Sequence, residues 1–245
     1  MPAWLAPLAV AARDVPPEAL SRFLPPPDGG RQSAVLILFG EGPAGPDLLL
    51  IERASTMRSH AGQPAFPGGG ADPGDTGPVD TALREAVEEV GLDPAGVQVL
   101  ATLPGLYLPP SGYVVTPVLA WWHSPSPVWP ADPEEVAAVH RVPVAALADP
   151  ANRMRVGHPS GWLGPAFDVN GMLVWGFTAG LVDRLLALAG WERAWDTERI
   201  EPLPAEVVEL ALRTRGGRAL QAAEPVVTPA TEPVAGARAA DPRWA

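Results

Sequence analysis

Glu85, Glu88 and Glu89 are the side chains in this sequence best suited to do chemistry. At about 100° per residue they collect in one sector of a helix, opposite an apolar face of Val79, Ala82, Leu83, Ala86, Val87 and Val90. Three carboxylates there repel one another, and the i, i+4 pair of Glu85 and Glu89 costs an isolated helix a few tenths of a kcal/mol. A divalent cation converts that cost into coordination. Hard oxygen ligands suit magnesium or manganese, which bridge carboxylates and substrate phosphates. Arg84, four residues before Glu88, is placed to hold that carboxylate in orientation. A solvated acidic face is the ordinary reading of glutamates on a helix, but two neighbours argue against it here. The loop Pro67-Gly68-Gly69-Gly70 lets backbone approach a phosphate closely, which makes Gly68, Gly69 and Gly70 candidate substrate contacts. The helix then ends in the pattern Glu89-Val90-Gly91-Leu92.

The elements that must position these residues are legible as periodicity and punctuation. A helix is expected from about Pro78 to Val90, with Gly91 ending it as a C′ glycine. Ala34–Phe39 and Asp47–Arg53 read as strands joined by a Gly/Pro-rich turn, and a glycine-rich loop runs over Phe66–Gly70. Val97–Leu103, Tyr113–Trp122 and Val136–Val144 are further strands, the last running into a short helix at Ala145–Ala148. Asn170-Gly171 marks a hairpin between Phe167–Val169 and Met172–Trp175. Helices follow at about Thr178–Leu188 and 204–215. The expected organisation is an N-terminal extension (1–33) whose one short helix spans Pro17–Phe23, a mixed α/β domain (34–190), a C-terminal helical extension (191–221) and a disordered tail (222–245).

Composition excludes several classes. The chain has 245 residues, 47% apolar, enough for a full core. With no cysteine, thiolate nucleophiles, disulfides and Cys-based metal sites are absent. All 17 basic residues are arginine, which removes lysine Schiff-base and P-loop chemistry. A net charge of −11 argues against nucleic-acid binding. No apolar run approaches a membrane span or a secretory signal, so a cytoplasmic protein is expected.

The stretch from Gly70 to Leu92 resembles a Nudix box, G-x5-E-x7-R-E-U-x-E-E-x-G-U with U aliphatic. Gly70, Arg84, Glu85, Glu88, Glu89, Gly91 and Leu92 match it, and Ala86 stands for an aliphatic residue. The box's first glutamate, mainly a structural partner in that family, falls on Thr76, with Asp75 beside it. The resemblance implies a Nudix fold, a mixed β-sheet sandwiched between helices, with Glu85, Glu88 and Glu89 as catalytic Mg2+ or Mn2+ ligands.

An upstream segment resembles the coenzyme A pyrophosphatase branch of that family. It comprises Leu48–Arg53 followed by Met57-Arg58-Ser59-His60-Ala61-Gly62-Gln63-Pro64-Ala65-Phe66-Pro67-Gly68-Gly69, with Ala54 splitting the branch's R-S pair. Gly112–Val118 and Val174–Gly180 are similar to the same branch. The implied reaction is hydrolysis of the diphosphate of coenzyme A or an acyl-CoA to 3′,5′-ADP and 4′-phosphopantetheine or its acyl form. Other nucleoside diphosphate derivatives and a non-catalytic nucleotide-binding domain are the alternatives. Arg53 and Arg58 read equally as phosphate contacts and as surface ion pairs. His60 reads as a phosphate contact or, by default, as a loop hydrogen-bonding residue. Outside the box, Glu135, with Glu134 next to it, is the candidate general base or further metal ligand, although either alone reads as a solvated turn. Most of the nine tryptophans belong to the core, with adenine stacking open to one. A small-molecule partner is expected, and homodimerisation is left open.

Overall fold

A computed structural model of the chain describes residues 1–27, 29–57, 61–109, 111–157, 161 and 163–213. Two short helices, α1 (Ala6–Ala11) and α2 (Pro17–Leu20), precede the hairpin of β1 (Arg31–Gly42) and β2 (Gly45–Arg53). Short strands β3 (Pro64–Ala65) and β4 (Gly68–Gly70) lead into helix α3 (Pro78–Val90). Strands β5 (Val97–Thr102), β6 (Leu106–Leu108), β7 (Tyr113–Trp122) and β8 (Val136–Pro143) follow, then helix α4 (Val144–Ala148). The remainder is β9 (Arg153–Gly157), β10 (Leu163–Val169), β11 (Met172–Val174), α5 (Gly176–Ala189), β12 (Ile200–Pro202) and α6 (Ala205–Arg213).

The main sheet runs β3-β2-β1-β7-β5, with β4 also on β1, β6 on β7 and β8 on β2. It is mixed: β1 lies parallel to β7 but antiparallel to β2 and β4. A smaller sheet runs β11-β10-β9-β12. Helices cover both faces of the main sheet, which explains why β1 reads as a nearly continuous apolar run. Ala34, Leu36 and Leu38 pack with Ala82, Ala86 and Val90 of α3 on one face. Ile37 and Phe39 pack on the other with Leu8 of α1 and Leu185 of α5. This is the expected helix–sheet–helix sandwich.

Several local expectations need correction. Gly68–Gly70 is a strand rather than a loop, because its backbone pairs with Val35, Ala34 and Ser33 of β1. Three glycines carry no alternation from which a strand can be read. The first strand begins at Arg31 rather than Ala34, and α2 ends at Leu20, short of Phe23. Helix α1 was not anticipated, because Pro7 reads as a breaker. Proline is tolerated in the first turn of a helix, and Leu5 and Leu8 are buried in the main core. Strand β9 was not anticipated either. The tail from 222 lies outside the described residues. No helix among the described residues is long and apolar enough to cross a membrane.

Candidate active site

Helix α3 begins with Pro78 in its first turn, where the Asp80 carboxylate accepts the Thr76 backbone N–H at 3.1 Å and the Thr76 hydroxyl. It ends at Gly91, in the left-handed region at φ +66, where the Gly91 N–H donates to Val87 O at 3.0 Å and the Leu92 N–H to Ala86 O at 3.3 Å. A side chain at position 91 would be strained by this φ. Its Cβ would also lie 2.8 Å from the Trp129 indole, which packs on the glycine. The faces of α3 depart from the helical-wheel expectation at two positions. Val87 is 41% exposed, whereas Glu89 is 2% exposed. The helix lies along the glycine strand β4, whose lack of side chains opens space for a carboxylate and turns Glu89 inward.

The glutamates are thereby placed against β4. The Gly68 N–H donates to Glu89 Oε2 at 2.9 Å. Glu85 lies directly over Gly69, where any Cβ would collide with its carboxylate. Glu88, further round the helix, is exposed. Arg84 fastens the group together. Its Nη1 reaches Glu88 Oε2 at 2.9 Å, and its Nη2 reaches Glu85 Oε1 at 3.0 Å and Gly70 O at 2.9 Å.

Asp75 is the residue that sequence reasoning undervalued. It takes Arg84 Nε at 3.0 Å and Nη2 at 3.1 Å, and accepts the Thr81 hydroxyl at 2.8 Å. Arg84, followed by the Asp72 backbone, holds the Asp75 carboxyl well below the usual range. Asp75 therefore holds Arg84 from the position beside the one where the box has its first glutamate, while Thr76 faces Asp80. The visible signal was an acid one position out of register.

The opposite bank of the cleft comes from the segment before β8. The Trp129 N–H donates to Val90 O at 3.2 Å and the Ala131 N–H to Glu89 O at 2.9 Å, which docks this segment on the end of α3. A turn at Asp132 follows, where Asp132 Oδ1 accepts the Glu134 N–H at 2.9 Å. This turn presents Asp132 and Glu135 to a cleft of about 280 Å³ that is also lined by Gly70, Asp72, Glu85, Glu88 and Glu89. Burial pushes Glu89 up to about 8. The Gly68 N–H and Arg53 oppose this rise, and Glu85 and Glu135 add to it. Burial likewise raises Glu85, Arg84 opposes it, and Glu88 and Glu135 add to it. Glu135 thus belongs electrostatically with the helix glutamates, whereas Glu134 is exposed.

Arg53, read as a phosphate contact or a surface ion pair, makes an ion pair within the site. Its side chain is 16% exposed and its Nη1 lies 3.7 Å from Glu89 Oε1, so it is a half-buried counter-charge to that carboxylate. Arg58 and His60 lie outside the described residues.

Among the described residues no three acidic or imidazole side chains converge as a ready metal-ligand set. Arg84 draws the Glu85 and Glu88 carboxylates to itself, and Gly68 engages Glu89. The donors nonetheless fit a hard divalent cation. Glu89 Oε1 is buried without a hydrogen-bond partner among the described residues. Burial and neighbouring acids both disfavour its charged form, and a cation would relieve both.

Residues 30–160 match the NUDIX domain model. The chain is 40% identical over 166 residues to the uncharacterized Nudix hydrolase NudL of Cronobacter sakazakii, covering 65% of this chain and 83% of that protein. It is 46% identical over 127 residues to the NudL of Photorhabdus laumondii, covering 50% of this chain and 66% of that protein. Among solved structures, a Nudix hydrolase from M. smegmatis, RenU, aligns with a TM-score of 0.44 and 21% identity, covering 71% of this chain and 98% of that one. The matched span contains both banks of the cleft, from Arg53 through the α3 glutamates to Glu135, and the chain belongs to the Nudix family.

Proposed function

We propose that this protein is a Mg2+- or Mn2+-dependent pyrophosphohydrolase that cleaves the diphosphate of coenzyme A and its thioesters. The observation that carries the reading is the carboxylate set of Glu85, Glu89 and Glu135 around one cleft floored by the glycine strand. Glu85, Glu88 and Glu89 would hold the cation. When bound, it supplies positive charge and Lewis acidity against a diphosphate, which lets an acidic chain accept a polyanion.

The chain's own groups do the rest. Gly70 lines the cleft without a side chain, Gly68 and Gly69 leave room for the Glu89 and Glu85 carboxylates instead of the substrate, and Arg84 holds Glu85 and Glu88. Glu135 accepts the proton of the attacking water as oxygen bonds to one phosphorus. The bridging P–O bond breaks, and the displaced phosphate leaves as the anion.

The substrate assignment is supported by the segment that leads from Arg53 into β4. Its two ends meet at Glu89, through the Arg53 guanidinium and the Gly68 N–H. One observation favours a broader substrate: Arg53 Nη1 lies 3.7 Å from Glu89 Oε1, and a guanidinium drawn to that carboxylate has less charge to offer a 3′-phosphate. A nucleoside diphosphate derivative without that group, such as ADP-ribose or NADH, is therefore the second reading. Incubating the protein and Mg2+ or Mn2+ with coenzyme A, acetyl-coenzyme A, ADP-ribose and NADH decides between them by product mass. Release of 3′,5′-ADP from the coenzyme A compounds alone is expected. Production of AMP from ADP-ribose or NADH transfers the assignment to the second reading, and no cleavage of any of the four removes both.

A further inference from the structure

Trp129 is 53% exposed, whereas Trp4, Trp121 and Trp122 are exposed by 8%, 7% and 1%. Its backbone is nevertheless fixed, through the Trp129 N–H to Val90 O at 3.2 Å and the Ala131 N–H to Glu89 O at 2.9 Å. One edge of its ring rests on Gly91, where only a glycine leaves room. Pro127, Pro130 and Pro133 restrict the segment on both sides. An indole held this firmly with more than half its surface in water is a pre-organised platform rather than a core residue.

Its position relative to the cleft is equally defined. Glu88 lies three residues before Gly91, and Asp132 three residues after Trp129, and both line the cleft. The ring therefore rests on the end of the helix that carries Glu88 and Glu89, three residues before the turn that brings Asp132 to the cleft. A base stacked there would adjoin a diphosphate held in the cleft. Val87, 41% exposed, one turn before Gly91 on the same flank, adds apolar surface beside the ring. In a chain of net charge −11, a base held by stacking needs no cation.

We infer that Trp129 is the specificity-determining platform on which the adenine of the substrate stacks while the cleft takes the diphosphate. The inference rests on the preceding reading for the diphosphate, but it is tested by binding rather than turnover. Full-length wild type, Trp129→Leu and Trp129→Phe are titrated calorimetrically with 3′,5′-ADP and with 4′-phosphopantetheine in the presence of Mg2+. Leucine fills the contact with Gly91 without a flat π-face, and phenylalanine keeps a face. Trp129→Leu is expected to weaken 3′,5′-ADP about tenfold, leave 4′-phosphopantetheine within about twofold, and raise KM more than it lowers kcat, while Trp129→Phe retains most of the affinity. Unchanged binding of 3′,5′-ADP to Trp129→Leu, or an equal loss for both ligands, overturns the platform. If the wild type cleaves no coenzyme A and Trp129→Leu still weakens 3′,5′-ADP, the platform stands and the substrate assignment falls.

Discussion

Two arginine-centred networks in this molecule use similar residue types for opposite ends. At the cleft, Arg84 is 25% exposed and serves Asp75, Glu85 and Glu88, with Glu89 and Glu135 close by and, among the described residues, Arg53 as a second cation. Acids outnumber bases there, and the remaining negative charge faces open space. In the smaller sheet, Arg153 is fully buried. It pairs with Asp183 and with Glu192 at 3.3 Å, and its guanidinium carbon lies 5.4 Å from the Phe167 ring centre and 4.6 Å from that of Trp195. That network closes on itself, with aromatic faces in place of further acids. Buried charge alone is therefore no marker of function. The discriminating feature is uncompensated negative charge beside an opening.

The sharpest way to break this contrast is to neutralise one carboxylate at the cleft. Glu89→Gln keeps an acceptor for the Gly68 N–H and cannot ionise in its buried place, so the melting temperature should hold or, as pH rises through about 8, exceed that of the wild type. Turnover should fall by about three orders of magnitude. Near-normal turnover would show that the leftover charge has no catalytic use. The converse substitution, Arg153→Ala, leaves Asp183 without its counter-charge and should cost about 3–5 kcal/mol, or ~10 °C in melting temperature. The kcat of the molecules that remain folded should not change, and a loss of kcat at unchanged stability would erase the distinction.

The smallest effect is a pH dependence. Burial holds Glu89 at about 8 in the folded chain against 4.5 as its ordinary value. The folded state therefore binds that proton more tightly than the unfolded one. Its contribution is complete below about pH 4.5 and is lost as pH rises through about 8. Without divalent cations, the melting temperature should drop by a few degrees between about pH 6 and about pH 9. The Glu89→Gln variant should lack this drop, and a wild-type profile that parallels the variant's would refute the assignment of the proton.

Much of this was readable from residues alone, because helix signals are local. Pro78 and Gly91 bound α3, and the glutamate spacing singled out the carboxylates that line the cleft. The hairpin at Asn170-Gly171 was legible for the same reason, with Phe167 pairing with Val174 across it. What escaped depends on partners distant in sequence. The strand character of Gly68–Gly70 is conferred by β1, since glycine has no side-chain pattern to betray it. Arg53 turns inward because Glu89, buried by that same glycine strand, needs a counter-charge. Asp75 was one register position from the expected glutamate, and only the side-chain directions show that it reaches Arg84. The fold of α1 depends on Leu5 and Leu8 finding the main core, which no local count of prolines can reveal.

The hydrogen bonds from residues 129 and 131 to the last carbonyls of α3 have a mechanical consequence. Those carbonyls would otherwise end the helix in water, but here they rivet one jaw of the cleft to the other. The gap between the jaws is then a fixed gauge rather than a hinge. A ligand is measured by whether its anhydride fits a pre-set width, and little reshaping of these two walls accompanies its arrival.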